Sequence, residues 1–369
     1  MKKIKINHLD LFSGIGGFHL GFEKAGFEVN SYFSEVDKYA IDVYKNNFKN
    51  SNYVGSVTDV RGTQLPKIDA ITFGSPCQDF SLAGKRKGMG GQRSSLITEA
   101  IRLIDECRPR FFIWENVKGT FSSNNGEDFW AIIQAFTNIG GYRLEWQLLN
   151  TKWFLPQNRE RIYLVGYIGN GSGGQVFPVK KSSKQNNELQ GQQANTSCLT
   201  TRYGADGNGS YLIERKLNAQ KVEIGDFRSD EGFRVRKDGD SATLNARARQ
   251  DVFGQPIIKI TSATKKGYEE AVNGDSINYS NPNSKTRRGR VGKGVAQTLD
   301  TACNQAIFYN KIRRLTPIEC ERLQGFPDNW TQYGKSGEIS DTQRYKMCGN
   351  AVTVDVVEAV AKNIIKTIY

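Results

Sequence analysis

The N-terminal segment reads Asp10-Leu-Phe-Ser-Gly14-Ile-Gly16-Gly17-Phe18. It joins a predicted strand, Ile4 to Phe12, to a predicted helix that extends through about Ala25. Glycines at such a junction let the backbone approach a ligand closely, and the N-terminus of the helix favours polar or negative groups. A dinucleotide-binding fingerprint would require a third small residue where His19 stands, so the segment disfavours NAD and, with it, a small-molecule oxidoreductase.

Strand and helix patterns alternate through the rest of the first half of the chain. A second strand, Val29 to Ser34, precedes a predicted helix from Asp37 to Phe48. A later helix, capped by Ser94 or Ser95, places its apolar residues on one face. Four further strands are predicted at residues 68–73, 111–114, 142–149 and 161–168. Repeated β–α units predict a doubly wound α/β sheet, in which ligands bind at the carboxyl ends of the strands.

The alternation stops near residue 169. Residues 169–197 are rich in Gly, Ser, Asn, Gln and Lys, which is typical of a linker. From there to about Tyr309, short strand patterns stand among turns, and they predict a small, irregular, mainly β domain. Helical patterning returns at residues 316–324 and 354–368.

Composition limits the class of protein and points to a partner. The 369 residues carry a net charge of +13, and residues 171–311 contain 22 Lys and Arg against 14 Asp and Glu, so +8 of the excess lies there. A concentrated basic excess favours a polyanionic partner. No stretch approaches the roughly 18 apolar residues of a membrane span, so we expect a cytoplasmic protein without membrane contact. Six scattered cysteines and only two histidines argue against a disulfide framework and a metal site.

Glu35 ends the second predicted strand and is placed to accept hydrogen bonds from ribose hydroxyls. Together with the glycine segment, it predicts an adenosine-bearing ligand without requiring a pyrophosphate. The alternative is a glycine turn beside a solvated glutamate, and the pattern by itself leaves both interpretations open.

A cysteine turn follows the strand at 68–73 and reads Gly74-Ser75-Pro76-Cys77-Gln78. A cysteine at the carboxyl end of a parallel strand is presented as a nucleophile would be, although most cysteines are simply buried. The next stretch, Gly84 to Gly91, is basic and rich in glycine, as expected of a loop that closes over a nucleic-acid backbone. A solvated surface loop is the alternative.

Charged residues follow two further strands. The segment Trp114-Glu115-Asn116-Val117 ends at the same edge of the sheet as the cysteine turn, where a desolvated carboxyl group can serve as an acid. The segment Gln157-Asn158-Arg159-Glu160-Arg161 places two guanidinium groups before another strand. Structural ion pairs at the sheet edge are the alternative interpretation of the arginines.

These residues together resemble the DNA cytosine-5 methyltransferase family, in its bacterial or phage type. Blocks similar to the family's motifs occur in order along the chain, and they are Asp10–Gly17, Glu35, Pro76–Gln78, Glu115–Val117, Gln157–Arg161, Arg314–Glu319, Gln324–Pro327 and Gly349–Val352. They leave residues 171–311 uncovered, where this family has its target-recognition domain. The resemblance therefore implies a Rossmann-like, S-adenosylmethionine-dependent methyltransferase domain over residues 1–170, completed by residues 312–369.

The resemblance also implies S-adenosylmethionine as the cofactor and S-adenosylhomocysteine as the product. The cofactor-binding positions carried over from the family are Phe12, Ser13, Gly14, Gly16, Gly17, Glu35, Val36, Ser56, Val57, Pro76, Asn350 and Val352. One position departs from the family's pattern, because Ser56 stands where an aspartate usually contacts the adenine amine. Ser56 can still accept a hydrogen bond, and Asp59 is the alternative acceptor.

A covalent mechanism comes with the same resemblance. The thiolate of Cys77 would add to C6 of cytosine and make C5 nucleophilic, while Glu115 would protonate or hydrogen-bond N3 and the exocyclic amine. Arg161, with Arg159 nearby, would stabilise O2 and the nearby backbone. Because C6 is inaccessible inside a duplex, the target base must be flipped out of the stack, and the loop from Ser81 to Arg93 would close over it.

Double-stranded DNA is the implied partner. The predicted DNA contacts are Gln78, Ser81, Lys85, Arg86, Arg202, Arg247, Arg287, Arg288 and Arg290. One rival is the tRNA-methylating branch of the family, whose Cys-Phe-Thr signature this chain lacks. Another is a non-catalytic DNA-binding relative, against which the intact catalytic positions argue. We expect a monomer, with any companion restriction endonuclease acting without a stable complex, and the recognition sequence stays open.

Overall fold

The structure is a computed structural model that describes residues 3–74, 95–168, 174–180, 225–228, 232–235, 249–250, 256–280, 286, 288–309 and 311–369. Seven strands form its central sheet, and they are β1 (Ile4–Leu11), β2 (Phe27–Ser34), β3 (Asn52–Tyr53), β4 (Ala70–Gly74), β5 (Phe111–Val117), β6 (Arg143–Asn150) and β8 (Glu160–Tyr167). Their order across the sheet is β3-β2-β1-β4-β5-β8-β6. Neighbours from β3 to β5 run parallel, whereas β8 runs antiparallel between β5 and β6. The predicted doubly wound α/β sheet is confirmed.

The direction of β8 follows from a short connection. Only residues 151–159 separate β6 from β8, and they include the short strand β7 (Gln157–Asn158). A parallel crossover needs about a dozen residues or more, so β8 returns antiparallel beside β6.

The helices of the described residues surround this sheet. They are α1 (Gly17–Ala25), α2 (Lys38–Asn47), α3 (Ser95–Cys107), α4 (Glu127–Asn138), α5 (Pro317–Leu323), α6 (Asp341–Asn350) and α7 (Val354–Ile368). Asp37 caps α2 by accepting from the backbone N–H groups of Tyr39 and Ala40, and Thr316 forms a capping box with Glu319 at the start of α5. Among the described residues, no helix has both the length and the apolar character needed to cross a membrane.

A hydrophobic core covers each face of the sheet. On β1, Ile6 belongs to a cluster that also contains residues of α1 and α7, whereas Leu9 and Leu11 pack with residues of α3 and α4. This division follows from the alternation of side chains along a strand. The residues that α7 contributes to the first cluster are Val356, Val357, Val360, Ala361, Ile364 and Ile368. The end of the chain therefore packs on the same sheet as its beginning.

Besides the helices α5 to α7, the described chain beyond residue 224 contains many short strands. They are β9 (Gly225–Arg228), β10 (Gly232–Val235), β11 (Arg249–Gln250), β12 (Pro256–Thr261), β13 (Tyr268–Ala271), β14 (Ser276–Asn278), β15 (Val291–Gly292), β16 (Ala296–Gln297), β17 (Gln305–Tyr309), β18 (Lys311–Arg314), β19 (Tyr333–Gly334) and β20 (Gly337–Glu338). Their pairings are β10-β9, β11-β12-β13, β15-β14-β17-β18 and β19-β20. One pairing reaches back to the first half, because β16 runs parallel to β7.

Candidate active site

The carboxyl ends of four parallel strands meet at one edge of the sheet. Leu11 of β1 lies beside Ser34 of β2 and Phe73 of β4, and Gly74 lies beside Glu115 of β5. The chain continues from these positions into the glycine segment, Glu35, the cysteine turn and the Glu115 region. The fold thus brings together groups that the sequence separates by a hundred residues.

The glycine segment adopts left-handed backbone conformations. The φ angles are +52° at Phe12, +53° at Gly14 and +86° at Gly16, and only glycine adopts such values at little cost. A Cβ atom on Gly14 would have no neighbour within 4 Å, so the backbone angle alone requires glycine there. A Cβ atom on Gly17 would lie 2.6 Å from Cγ2 of Val352, so this glycine is required by the close approach of the C-terminal segment.

The Glu35 carboxylate ties the glycine segment to the start of α2. One oxygen accepts from the backbone N–H of Gly14 at 2.9 Å, and the other accepts from those of Val36 at 2.7 Å and Asp37 at 3.0 Å. An ionised carboxylate has about four acceptor positions, so it retains capacity for a ligand hydroxyl. The side chain of Val36 is 76% exposed next to it, which leaves an apolar surface at the same edge.

The remaining predicted cofactor positions differ in what they can offer. Ser56 shares a hydrogen bond with the Thr58 hydroxyl, which also donates to Asp59, so both alternative adenine acceptors lie in one exposed turn. Val57 is buried in the core. Ser13, within the glycine segment, is also buried. Asn350 is exposed at the end of α6.

Glu115 lies between β4 and the two predicted catalytic arginines. Its side chain is buried, and one carboxylate oxygen lies 3.2 Å from Nε of Arg161 and 4.0 Å from Nη2 of Arg159. A Cβ atom on Gly74 would lie 3.3 Å from its other oxygen. Arg159 also donates to the backbone oxygen of Ala351 at 2.9 Å, which links the arginine to the C-terminal segment. The carboxylate is therefore oriented on one side by guanidinium groups and faces the end of β4 on the other.

Several predicted site residues lie outside the described residues. They are Pro76, Cys77, Gln78, Ser81, Lys85, Arg86, Arg202, Arg247 and Arg287, together with the loop from Ser81 to Arg93.

The two described arginines among the predicted DNA contacts have opposite environments. Arg288 is exposed and donates from Nε to the backbone oxygen of Ala263 at 2.9 Å. Arg290 is only 2% exposed, and its guanidinium donates to the backbone oxygens of Asn278 and Ser280. Since a buried guanidinium cannot reach a phosphate without leaving these partners, the prediction of a DNA contact is corrected for Arg290, which instead supports the backbone around it.

A buried polar network beneath the glycine segment was not predicted. Asp10 accepts from the Thr72 hydroxyl at 2.8 Å, which also contacts His8 at 2.7 Å, and all three side chains are fully buried. The Tyr44 hydroxyl lies 2.7 Å from that of Ser31. Burial raises the pKa of the Asp10 carboxyl well above its ordinary value, the hydrogen bond from Thr72 opposes this, and Glu35 adds to it. The sequence signal for this network was the pair of polar residues, His8 and Asp10, at alternate positions of the first predicted strand.

One family model matches almost the whole chain. It is described as C-5 cytosine-specific DNA methylase, and the match covers residues 6–366. It includes the glycine segment, Glu35, the cysteine turn, Glu115 and both arginines.

Three relatives illustrate the similarity in sequence. The orphan methyltransferase M.SPRI of Bacillus phage SPR is 29% identical over 436 residues, which cover 98% of each chain. The type II methyltransferase M.FnuDI of Fusobacterium nucleatum is 32% identical over 368 residues, which cover 98% of this chain and 94% of that one. The type II methyltransferase M.NlaX of Neisseria lactamica is 31% identical over 356 residues, covering 96% and 94%.

Solved structures show a similar fold at low sequence identity. The Entamoeba histolytica methyltransferase EhMeth has a TM-score of 0.57 and 17% identity, with 99% of each chain covered. The S. pombe Dnmt2 methyltransferase has a TM-score of 0.55 and 15% identity, with 98% of each chain covered. The described sheet and helices thus have the architecture of methyltransferases, which confirms the predicted Rossmann-like fold class.

Proposed function

Since this chain belongs to the C-5 cytosine-specific DNA methylase family and is a sequence-specific DNA cytosine-5 methyltransferase, we propose that S-adenosylmethionine is its methyl donor and that Cys77 forms a covalent adduct with the target base. The observation that carries this proposal is the position of the Glu115 carboxylate. It lies between Arg161 and Gly74, and Cys77 follows Gly74 by three residues in the sequence. The Glu115 carboxylate and the arginines thus lie at the edge of the sheet from which the sequence continues to Cys77.

The glycine segment and Glu35 fit an adenosyl ligand. The space beside Gly14 is open, Glu35 retains acceptor positions for ribose hydroxyls, and Val36 offers an exposed apolar side chain to an adenine ring. Val352 borders the same segment from the C-terminal side, and we assign Asn350 to the pocket as well. When bound there, S-adenosylmethionine supplies an electrophilic methyl group. We assign the adenine amine to the turn that contains Ser56 and Asp59.

The chain's own residues account for activation of the base. The Cys77 thiolate adds to C6 of a flipped cytosine, which turns C5 into a nucleophile, and loss of the C5 proton after methylation expels the thiolate again. Glu115 hydrogen-bonds N3 and the exocyclic amine, so that the ring accepts the added electron pair. Arg161 and Arg159 orient that carboxylate, and we assign Arg161 the stabilisation of O2 as negative charge develops there.

We also propose the division of the chain into two functional parts. Residues 1–170 and 312–369 form the catalytic and cofactor-binding domain, which is supported by the packing of α7 on α1 and on the sheet. Residues 171–311 form the target-recognition domain, which is supported by their basic excess and short strands. The enzyme is expected to act as a cytoplasmic monomer on double-stranded DNA, with any restriction endonuclease acting separately.

The test is methyl transfer from labelled S-adenosylmethionine to unmethylated genomic DNA and, separately, to tRNA. Label that bisulfite sequencing places as 5-methylcytosine within one short DNA motif is the expected result. Label in tRNA alone would overturn the DNA assignment. Absence of label in both, with a folded protein, would overturn the proposed donor and mechanism together.

A matched pair of cysteine variants tests the nucleophile. Cys77→Ser should abolish turnover, whereas Cys107→Ser should not, because Cys107 ends α3 and burial raises the pKa of its thiol to about 11. DNA containing 5-fluorocytosine should trap a denaturation-resistant adduct with wild type and with Cys107→Ser, since fluorine cannot leave C5 as the proton does. Turnover by Cys77→Ser near the wild-type rate would exclude the covalent step.

A further inference from the structure

Residues 288–291, here called the arginine turn, lead into β15, and Arg288 and Gly289 are exposed. Gly289 has a φ of +66°, and a Cβ atom placed on it would meet no atom within 4 Å. Arg288 is exposed on the turn, whereas Arg290 is buried beneath it. The turn thus exposes one arginine to solvent, while the other arginine is buried and donates to the backbone oxygens of Asn278 and Ser280.

The Glu269 carboxylate of β13 holds this backbone. One oxygen accepts from the backbone N–H of Gly289 at 2.8 Å and of Arg290 at 3.3 Å, and the other accepts from that of Val291 at 3.1 Å. The hydroxyl of Ser262 donates to the same carboxylate. Burial alone would raise the pKa of Glu269, but these hydrogen bonds lower it below its ordinary value. Three consecutive backbone donors therefore converge on one side chain.

A second set of contacts fixes the turn relative to the rest of the chain. The Gln297 side-chain amide donates from Nε2 to the backbone oxygen of Gly289, and its Oε1 accepts from Nδ2 of the Asn278 side chain at 3.3 Å. Gln297 also pairs through its backbone with Asn158 of β7, and Arg159 is the next residue. The arginine turn is consequently held in register with the strand that precedes the catalytic arginines.

A carboxylate at this place opposes DNA binding by simple electrostatics, because a negative charge near phosphates weakens association. The three backbone hydrogen bonds that Glu269 accepts instead order the arginine turn. Ordering a loop before binding removes the entropic cost of ordering it during binding, and it fixes the direction in which the exposed side chain points. Sequence is distinguished by side chains that reach base edges in a defined direction, whereas phosphate contacts tolerate variation.

We propose that Glu269 is a positioning residue that holds the arginine turn for sequence discrimination in the target DNA. This inference rests on the proposed assignment of residues 171–311 as the target-recognition domain. Glu269 touches no substrate itself and acts through Arg288 and its neighbours on the turn.

Glu269→Gln tests the proposal, because positioning and electrostatics predict opposite results. The amide is similar in size to the carboxylate, but its NH2 group cannot accept from the backbone N–H groups that converge there. The matched control is Glu270→Gln, which removes the same charge from the next residue of β13, where the side chain is exposed. Methyl transfer is measured on duplexes with the wild-type motif, found by bisulfite sequencing, and with each single base-pair change to it.

Wild type should discriminate against one wrong base pair by about 5- to 150-fold, the usual range for DNA-binding proteins. We expect Glu269→Gln to lose most of this discrimination at the base pairs that the turn reads, while its non-specific DNA binding equals or exceeds that of wild type. Glu270→Gln should keep the wild-type ratios. Unchanged ratios for Glu269→Gln, or the same loss in both variants, would overturn the proposal.

Two measurements keep this result separate from other failures. Gly289→Ala perturbs the left-handed turn without touching Glu269 and should lower discrimination in the same way, so it replaces Glu269→Gln if that variant does not fold. Retained discrimination by a folded Gly289→Ala would then count against the proposal. If wild type itself methylates no DNA, the proposed function fails first, whereas a motif-specific wild type with an indifferent Glu269 refutes only the positioning role.

Discussion

Replacing Glu115 by glutamine separates the chemical contribution of this side chain from its structural one. The glutamine occupies the same volume, but it cannot protonate N3 of the base and carries no charge for the guanidinium groups. In the structure, the lost charge is 3.2 Å from Nε of Arg161 and 4.0 Å from Nη2 of Arg159. Both catalysis and stability should therefore change, by amounts that can be estimated separately.

Loss of a positioned acid usually lowers a rate by about 10²- to 10⁴-fold, which corresponds to roughly 3–5 kcal/mol of barrier height. The attraction between unit charges at the Arg161 distance is about 5 kcal/mol at an effective dielectric constant of ~20, before desolvation is counted. Removing one partner of a buried pair typically destabilises a protein by about 3–5 kcal/mol. We expect a smaller loss of stability here, because Arg159 keeps its hydrogen bond to Ala351 and Arg161 is partly exposed.

The assay is single-turnover methyl transfer to DNA that is already bound, with cofactor and DNA affinities and the free energy of unfolding measured beside it. Glu160→Gln is the matched control, because Glu160 pairs with Lys118 at 2.9 Å on the exposed surface of the neighbouring strand. The control should stay within about twofold of wild type, as expected for an exposed ion pair. A Glu115→Gln rate within tenfold of wild type, with both ligands bound, would refute the assigned role.

Three further changes test the surroundings of the site. Gly17→Ala places a Cβ atom 2.6 Å from Cγ2 of Val352. We therefore expect weaker binding of S-adenosylmethionine in a titration and a loss of about 1–3 kcal/mol in unfolding free energy. Unchanged values would contradict the close packing. The Asp10→Asn variant tests the raised pKa of the Asp10 carboxyl, because the folded wild type keeps a proton there that the unfolded chain releases above about pH 4. Wild-type stability should therefore fall relative to that of the variant as pH rises, and parallel stability curves would refute this. Glu321→Gln removes the buried anionic partner of Arg344 at 3.1 Å and leaves only the exposed Asp341 at 3.6 Å. Urea unfolding should then show a loss of about 3–5 kcal/mol, and a loss below 1 kcal/mol would contradict the buried pair.

The elements that the sequence predicted best have strong periodic patterns. The helix predicted at residues 354–368 has the same limits as α7, because its valines and isoleucines recur at helical spacing on the face that packs on the sheet. The first strand and helix were placed within a residue by the glycine segment between them. Regular apolar spacing therefore gave both the existence and the limits of these elements.

One helix that the sequence did not predict, α6, lacks such a pattern for a physical reason. Its buried residues include Arg344 and Cys348, and the arginine pairs with the buried Glu321 of another helix. A sequence in which a charged residue occupies a core position shows no apolar stripe. Its partner lies 23 residues away, so local pattern cannot identify it.

The arginines of the recognition region show the same limit at the level of single residues. Arg288 and Arg290 are two residues apart and carry the same charge, yet one is exposed and the other is buried. The difference arises from backbone carbonyls at Asn278 and Ser280 that the buried guanidinium meets in the folded chain. Composition identified a basic region, but it could not say which arginine supports the turn and which one faces solvent.

The return of the chain to the first sheet supports the proposal that residues 312–369 complete the catalytic domain. Five valines and isoleucines of α7 are buried in the cluster that contains α1 and the sheet, and burial of this kind contributes about 1.5–3 kcal/mol for each side chain. The sum, roughly 8–15 kcal/mol before entropy, is similar to the whole net stability of an ordinary domain. The sheet therefore depends on residues that follow the proposed target-recognition domain. Because Arg159 bonds to Ala351 and β7 pairs with β16, the same return also connects the predicted catalytic arginines to the segment that carries the arginine turn.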